Sequence, residues 1–142
     1  MPLRLTALLL CILGALSAAP AQADDIGTLQ LHFGTLTYQF YCVSCHGAGG
    51  KGNGPVAAAL TRPPADLTQL ARQNGGAFPV EKVTAAIDGR IEIVGHLNLA
   101  MPPWGQLFAH ELEAFPKGTV VEALIARRIA HIIVYLESIQ ER

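Results

Sequence analysis

The most constraining feature of this sequence is a cluster of two thiols and an imidazole, Cys42-Val43-Ser44-Cys45-His46. The chain has 142 residues, the length of one domain, and a domain of this size buries a smaller share of its surface than a larger one. Cys11 is the remaining cysteine, so a framework of disulfides cannot supply the missing stability. We therefore expect a fold that is organised around a group bound at this cluster.

The N-terminal residues 1–23 have the layout of a secretory signal peptide. Arg4 precedes an apolar run from Leu5 to Leu16, and Ala21-Gln22-Ala23 forms a small-x-small cleavage site. The alternative is an uncleaved membrane anchor, but the run is short for a span, which needs about 20 apolar residues. We expect residues 24–142 to be exported to the periplasm as one domain with no membrane span of its own.

Charge and composition exclude several classes of function. The formal net charge of −1 argues against a nucleic-acid binder that works through a basic surface. The glycine-rich residues 47–54 lack the Lys-Ser/Thr ending of a phosphate loop, and they follow a predicted helix rather than a strand. No catalytic triad or spaced pair of carboxylates is recognisable, so we predict that the chain is not itself an enzyme.

The cluster matches Cys-x-x-Cys-His, the attachment sequence of haem c. Cys42 and Cys45 would add across the two vinyl groups of one haem, because the two-residue spacer lets a single turn of chain reach both. His46 would then lie beside the iron, where an imidazole nitrogen is the usual proximal ligand. Zinc would require further Cys or His ligands at matching spacing. A thioredoxin-like pair would require a βαβ pattern, and a Cys42–Cys45 disulfide would leave His46 unexplained.

An electron carrier also needs a sixth iron ligand, and Met101 is the one methionine downstream of the signal segment. Its thioether is a soft ligand, and His/Met ligation is the arrangement of cytochromes c. Met101 could instead fill a gap in the core, but it precedes Pro102 and Pro103 in a loop, which is an unusual place for such a role. His96 is the rival ligand.

The pattern of apolar residues predicts a helical domain with no convincing strand. A helix from Ile26 to Tyr41 would bury apolar residues spaced at 4, 3 and 4, namely Leu29, Phe33, Leu36 and Phe40. Asp66 should cap a short helix, and another should run from Pro79 to Gly89. Residues 91–105 are predicted to form a loop.

The C-terminal helix has the clearest pattern. Thr119 and Glu122 match a capping box. Apolar residues then recur at spacings of 4, 3, 4 and 3 and define one buried stripe: Ile125, Ile129, Ile132, Leu136 and Ile139.

Four segments together resemble the bacterial monohaem class I cytochromes c, over about residues 26 to 140. They are Tyr41-Cys42-Val43-Ser44-Cys45-His46-Gly47, Gly50-Lys51-Gly52-Asn53-Gly54-Pro55, Met101-Pro102-Pro103-Trp104-Gly105 and Val134-Tyr135-Leu136-Glu137-Ser138-Ile139. The resemblance implies an all-α class I cytochrome c fold, with four to five helices around one covalently bound haem. It also implies that the N- and C-terminal helices cross, and that the carbonyl of Pro55 accepts a hydrogen bond from the His46 imidazole.

Two further residues are candidates for contact with the haem. Trp104 could pack on the ring and reach a propionate, or it could be an ordinary core aromatic. Arg62 lies in a segment similar to one at the haem edge of these cytochromes, and Arg suits carboxylate pairing; a solvated surface position is the alternative.

These residues favour an exported electron carrier that exchanges single electrons with redox protein partners, and we expect it to be a monomer. One alternative is a haem subunit of an exported dehydrogenase or oxidase. Another is a haem ligand sensor in which Met101 dissociates.

Covalent attachment can be tested on protein exported into a periplasm that contains haem-ligation machinery. Mass spectrometry should find a chain that begins at Asp24 and carries one haem, and the haem should survive acid-acetone extraction. The Cys42→Ala/Cys45→Ala variant should release it, because both thioether bonds are lost. Wild-type protein that loses its haem on extraction would contradict the assignment.

Overall fold

The computed structural model describes residues 21–90, 101–116 and 118–141. Most of the predicted signal segment, and His96, lie outside the described residues. Within the described part there are six helices and no strand, as the resemblance predicts for an all-α fold: α1 (Ala21–Tyr41), α2 (Val43–His46), α3 (Leu70–Gln73), α4 (Val80–Asp88), α5 (Trp104–Glu111) and α6 (Thr119–Ser138). Short 3₁₀ turns cover Ala57–Ala59 and Leu67–Gln69.

The first and last long helices cross at close range, as the resemblance implies. Gly34 of α1 lies directly on the backbone of α6, where a Cβ would be 2.8 Å from the carbonyl carbon of His131 and 3.0 Å from Cβ of Tyr135. One turn later, Tyr38 is 1% exposed, and its ring centroid is 4.7 Å from that of Tyr135. The crossing therefore depends on a small residue followed by an aromatic one.

The apolar stripe of α1 was predicted to be its buried face, but these residues are exposed, so that prediction is wrong. Leu29, Phe33, Leu36 and Phe40 are 48–81% exposed, whereas Gly34 and Tyr38 are buried. The period of the helix was correct but its buried face was not. Close approach to α6 requires a glycine, and Tyr38 can be buried because its hydroxyl donates to the carbonyl oxygen of Gly47 at 2.6 Å.

The apolar stripe of α6 is confirmed except at its last residue, Ile139, which is partly buried and is the C-cap residue of the helix. Ile125, Ile129, Ile132 and Leu136 are each no more than 3% exposed and belong to one core cluster.

The capping box predicted for α6 is wrong. Gly118 is the N-cap residue, Thr119 is the first helical residue, and no side chain caps this end. The Glu122 carboxylate instead pairs with Arg90 at 2.7 Å.

The other predicted helix ends agree with the structure. The Asp66 carboxylate accepts a hydrogen bond from the backbone of Thr68 at 2.9 Å. Pro79 precedes α4, and Gly89 ends it in the left-handed conformation with φ of 63°.

Helix α5 was missed: its first two residues were placed in the loop predicted for residues 91–105, and no element was predicted for residues 106–111. Residues 91–100 of that predicted loop lie outside the described residues. Pro103 is the N-cap residue of α5 and Trp104 its first residue. Proline is compatible with the start of a helix, so the two prolines mark a boundary rather than a longer loop. None of the helices in the described residues is long and apolar enough to cross a membrane.

A side chain at Gly34 should separate α1 from α6. We expect Gly34→Val to lower the free energy of unfolding by about 1–3 kcal/mol, because the added atoms overpack the crossing. Urea unfolding of the haem-loaded protein measures this. Gly27→Ala on the same helix is the matched control: nothing lies within 4 Å of its new Cβ, so stability should stay the same or rise slightly. Equal losses in the two variants would contradict the crossing.

Candidate functional site

The two thiols and the imidazole of the predicted motif lie on one turn of helix directly after α1. The backbone N–H of Cys42 still donates to the carbonyl of Tyr38 at 2.8 Å, and that of His46 donates to the carbonyl of Cys42 at 2.9 Å. The helical turn is therefore continuous with α1. Cys42 and Cys45 are both free thiols. Burial, followed by the nearby Cys45 sulfur, raises the pKa of Cys42 to about 12, so this thiol stays protonated near neutral pH.

The His46 imidazole is fixed in one orientation by a backbone carbonyl. The side chain is 8% exposed, and Nδ1 lies 3.0 Å from the carbonyl oxygen of Ala65. A carbonyl can only accept, so Nδ1 carries the proton and Nε2 keeps its lone pair. Burial lowers the pKa of His46, although the Ala65 bond opposes this, and a lowered pKa favours the neutral ring.

The prediction that the carbonyl of Pro55 accepts a hydrogen bond from this imidazole is therefore wrong. Pro55 is exposed, and the carbonyl that faces Nδ1 of His46 belongs to Ala65, further along the chain.

The glycine-rich loop after His46 is held against the motif by backbone hydrogen bonds. The N–H of Gly52 donates to the carbonyl of His46 at 2.9 Å, and that of Gly54 to the carbonyl of Cys45 at 3.0 Å. The backbone contact is so close at Gly54 that a Cβ would lie 2.6 Å from the carbonyl carbons of both Ser44 and Cys45. Glycine is thus required where the loop covers the motif.

Two adjoining cavities, of about 300 Å³ and 250 Å³, open on either side of the motif. Both are lined by Cys42, His46, Ala65 and Met101. The structure thus brings Met101, which is distant in sequence, to the same cavity walls as the predicted motif. The wall of the larger cavity is mostly apolar and comes from several helices; it includes Leu67, Leu70, Val83, Ile87, Ile132 and Leu136.

Trp104 and Arg62 both line the smaller cavity, whereas Pro55 lines neither cavity. Trp104 lies there with its ring centroid 5.3 Å from that of Tyr41 in a T-shaped arrangement. Arg62 is exposed at the same cavity. His96 lies outside the described residues.

Sequence reasoning missed two residues of this site. Ala65 contributes only its carbonyl, for which no side-chain pattern exists. Tyr41 lines the smaller cavity and precedes Cys42 directly, so its position next to the motif was the one available signal.

This donor set suits a haem better than the alternatives. Across the described residues, no three His, Cys, Asp or Glu side chains are grouped as a metal site would require. A zinc site is therefore not supported, and the two free thiols do not form a disulfide. A neutral imidazole, two thiols and a thioether around an apolar cavity instead match the groups that hold haem c.

A helical fold whose N- and C-terminal helices cross beside a Cys-x-x-Cys-His turn is that of the c-type cytochromes. The chain belongs to the family described as cytochrome c oxidase, cbb3-type, subunit III, whose profile matches residues 30–115, more than half of the chain. Membership implies covalent haem c and haem-based electron transfer. The same comparisons gave no match to a curated protein or to a solved structure.

The loop cover over the motif can be tested at Gly54. We expect Gly54→Ala to reduce the yield of haem-loaded protein several-fold, because the methyl group would displace the loop from the Cys45 backbone. The ratio of haem absorbance to protein in periplasmic extracts measures this. Gly49→Ala is the control, since its Cβ meets nothing closer than Cγ of Lys51 at 3.9 Å. A normal haem content in Gly54→Ala would show that the loop cover is dispensable.

Proposed function

We propose that this protein is an exported monohaem c-type cytochrome that passes single electrons between redox protein partners. The observation that carries the proposal is the shared cavity lining of Cys42, His46 and Met101. Membership in a c-type cytochrome family supports it independently. The signal-like N-terminal sequence supports export to the periplasm.

Each residue of the proposed site has a distinct role. Cys42 and Cys45 would form the two thioether bonds to the haem, and Nε2 of His46 and the sulfur of Met101 would bind its iron. A haem held in this way supplies a one-electron iron couple. The Ala65 carbonyl keeps the proton of His46 on Nδ1 and so keeps Nε2 available.

The surrounding side chains control water and charge. The apolar wall of the larger cavity excludes water, and lower solvent exposure is one of the factors that set the reduction potential. We propose that Trp104 packs on the haem and that Arg62 pairs with a propionate, since both lie at the smaller cavity.

A second candidate function is that of an electron-transferring subunit of a larger redox enzyme. The description of the matched family, which names a subunit of an oxidase, favours it. The proposed iron ligands are the same in both cases. Purification from the native host separates the two, because a subunit elutes with its enzyme and a carrier elutes alone.

The ligand assignment is tested at Met101. Wild-type ferric protein should be low-spin and show the weak sulfur-to-iron band in the red. Met101→Ala should lose that band, lower the reduction potential and open the iron to cyanide, because a soft ligand that favours ferrous iron is removed. Absorption spectroscopy and potentiometry measure these changes.

His96→Ala is the control and should leave the spectrum nearly unchanged. The reverse pattern, with Met101→Ala silent and His96→Ala opening the iron, would assign bis-histidine ligation. Rapid, tight binding of carbon monoxide by the wild-type ferrous protein would instead favour a ligand sensor with a labile Met101.

A further inference from the structure

The end of α4 meets the residues that begin α5 at one place, close in sequence to Met101. At the end of α4, a Cβ on Gly89 would lie 2.7 Å from Cα and 2.9 Å from Cβ of Pro103. In the first turn of α5, a Cβ on Gly105 would lie 2.7 Å from Nε of Arg90 and would meet the carboxylate of Asp88. Two glycines thus allow the end of α4 and the start of α5 to touch.

A single guanidinium spans this junction. Nε of Arg90 is 2.6 Å from Oδ1 of Asp88 at the end of α4, and one terminal nitrogen is 2.7 Å from Oε2 of Glu122 in the first turn of α6. The second terminal nitrogen donates to Oδ2 of Asp88 at 3.1 Å. We call this three-residue contact the Arg90 bridge; because Gly105 packs on it, it links the ends of α4, α5 and α6.

We propose that the Arg90 bridge positions Met101 by fixing the junction between the end of α4 and the start of α5. The inference rests on the proposed role of Met101 as the sixth ligand. Met101 is two residues from Pro103, the point of contact with Gly89, so movement at the junction is transmitted to the thioether over a short length of chain. Arg90 is a positioning residue, since it acts on the iron only through Met101.

The geometry makes the bridge stronger than one surface ion pair. Arg90 and Asp88 are only 29% and 23% exposed, and the guanidinium contacts Asp88 through two nitrogens. Such a bidentate contact is more directional than a single one. Glu122 is 58% exposed, so its share is modest. The hydrogen bonds from Arg90 to Asp88 and then to Glu122 raise the pKa of Arg90, so its positive charge persists at every accessible pH.

A competing ligand measures how often Met101 leaves the iron. The apparent affinity of that ligand equals its intrinsic affinity multiplied by the fraction of molecules in which the sixth position is open. If the Arg90 bridge holds Met101 in place, breaking the bridge raises that fraction. Binding of imidazole to the ferric protein should then tighten in the same proportion.

The chain contains a matched control. Arg128 of α6 pairs with Glu111 at the other end of α5, at 2.6 Å and with 31% of the Arg128 side chain exposed. This pair joins α6 to the C-terminal end of α5, and Glu111 is seven residues beyond Trp104. Arg128→Gln leaves in place the hydrogen bond that the Tyr41 hydroxyl donates to Glu111. Losing it should weaken the fold to a similar extent without releasing the thioether.

The experiment titrates haem-loaded ferric protein with imidazole and follows loss of the red band. We expect Arg90→Gln to bind imidazole about three- to tenfold more tightly than wild type. Arg90→Lys, which retains the charge but cannot contact both carboxylates in the same way, should fall between the two. Arg128→Gln should bind imidazole as wild type does. Urea unfolding of both glutamine variants shows whether their losses of stability are comparable.

Each result decides the proposal. Tighter binding in Arg90→Gln, partial recovery in Arg90→Lys and no change in Arg128→Gln support it. Equal imidazole affinity in Arg90→Gln and wild type overturns it, and so does equal tightening in Arg128→Gln, which would reflect general loosening. A wild-type protein without the red band would instead remove Met101 as a ligand, and the Arg90 bridge would then have no such role.

Discussion

The close crossing of α1 and α6 at Gly34 holds the two long helices together and sets the position of the candidate site. Because Gly34 has no side chain, the two helix backbones meet, and Tyr38 follows one turn later into the space beside Tyr135. The Tyr38 hydroxyl then reaches the carbonyl of Gly47, just past the Cys-x-x-Cys-His turn. One crossing therefore fixes both the packing of the long helices and the position of the site at the end of α1.

Backbone groups, more than side chains, build the site around that fixed point. The glycine-rich loop is bonded to the carbonyls of Cys45 and His46, and the imidazole is oriented by the carbonyl of Ala65. Charged side chains contribute mainly at the two ends of α5, through Arg90 and Arg128. Because few charged side chains face the larger cavity, its wall stays mostly apolar. An apolar wall limits solvent exposure, which is one of the factors that set the reduction potential of a haem.

The candidate site was largely predictable where one residue type has one chemical use. Cys42, Cys45 and His46 were identified by their spacing, and Met101 by its being the one thioether in the expected mature chain. The partner of the imidazole was not predictable, because any residue can offer a carbonyl. Pro55 was inferred from the resemblance, whereas the structure places the carbonyl of Ala65 at Nδ1 of His46.

The helical class, the buried stripe of α6 and the presence of a Cys-x-x-Cys-His motif follow from the amino-acid sequence alone, because each depends on local spacing. The buried face of α1 and the partner of Glu122 depend instead on contacts between residues that are distant in sequence. The apolar stripe through Phe33 and Phe40 has the correct helical period, but burial depends on the partner helix, and α6 packs where Gly34 permits close approach. Glu122 fits a capping box locally, yet Arg90 offers it a charged partner that is distant in sequence.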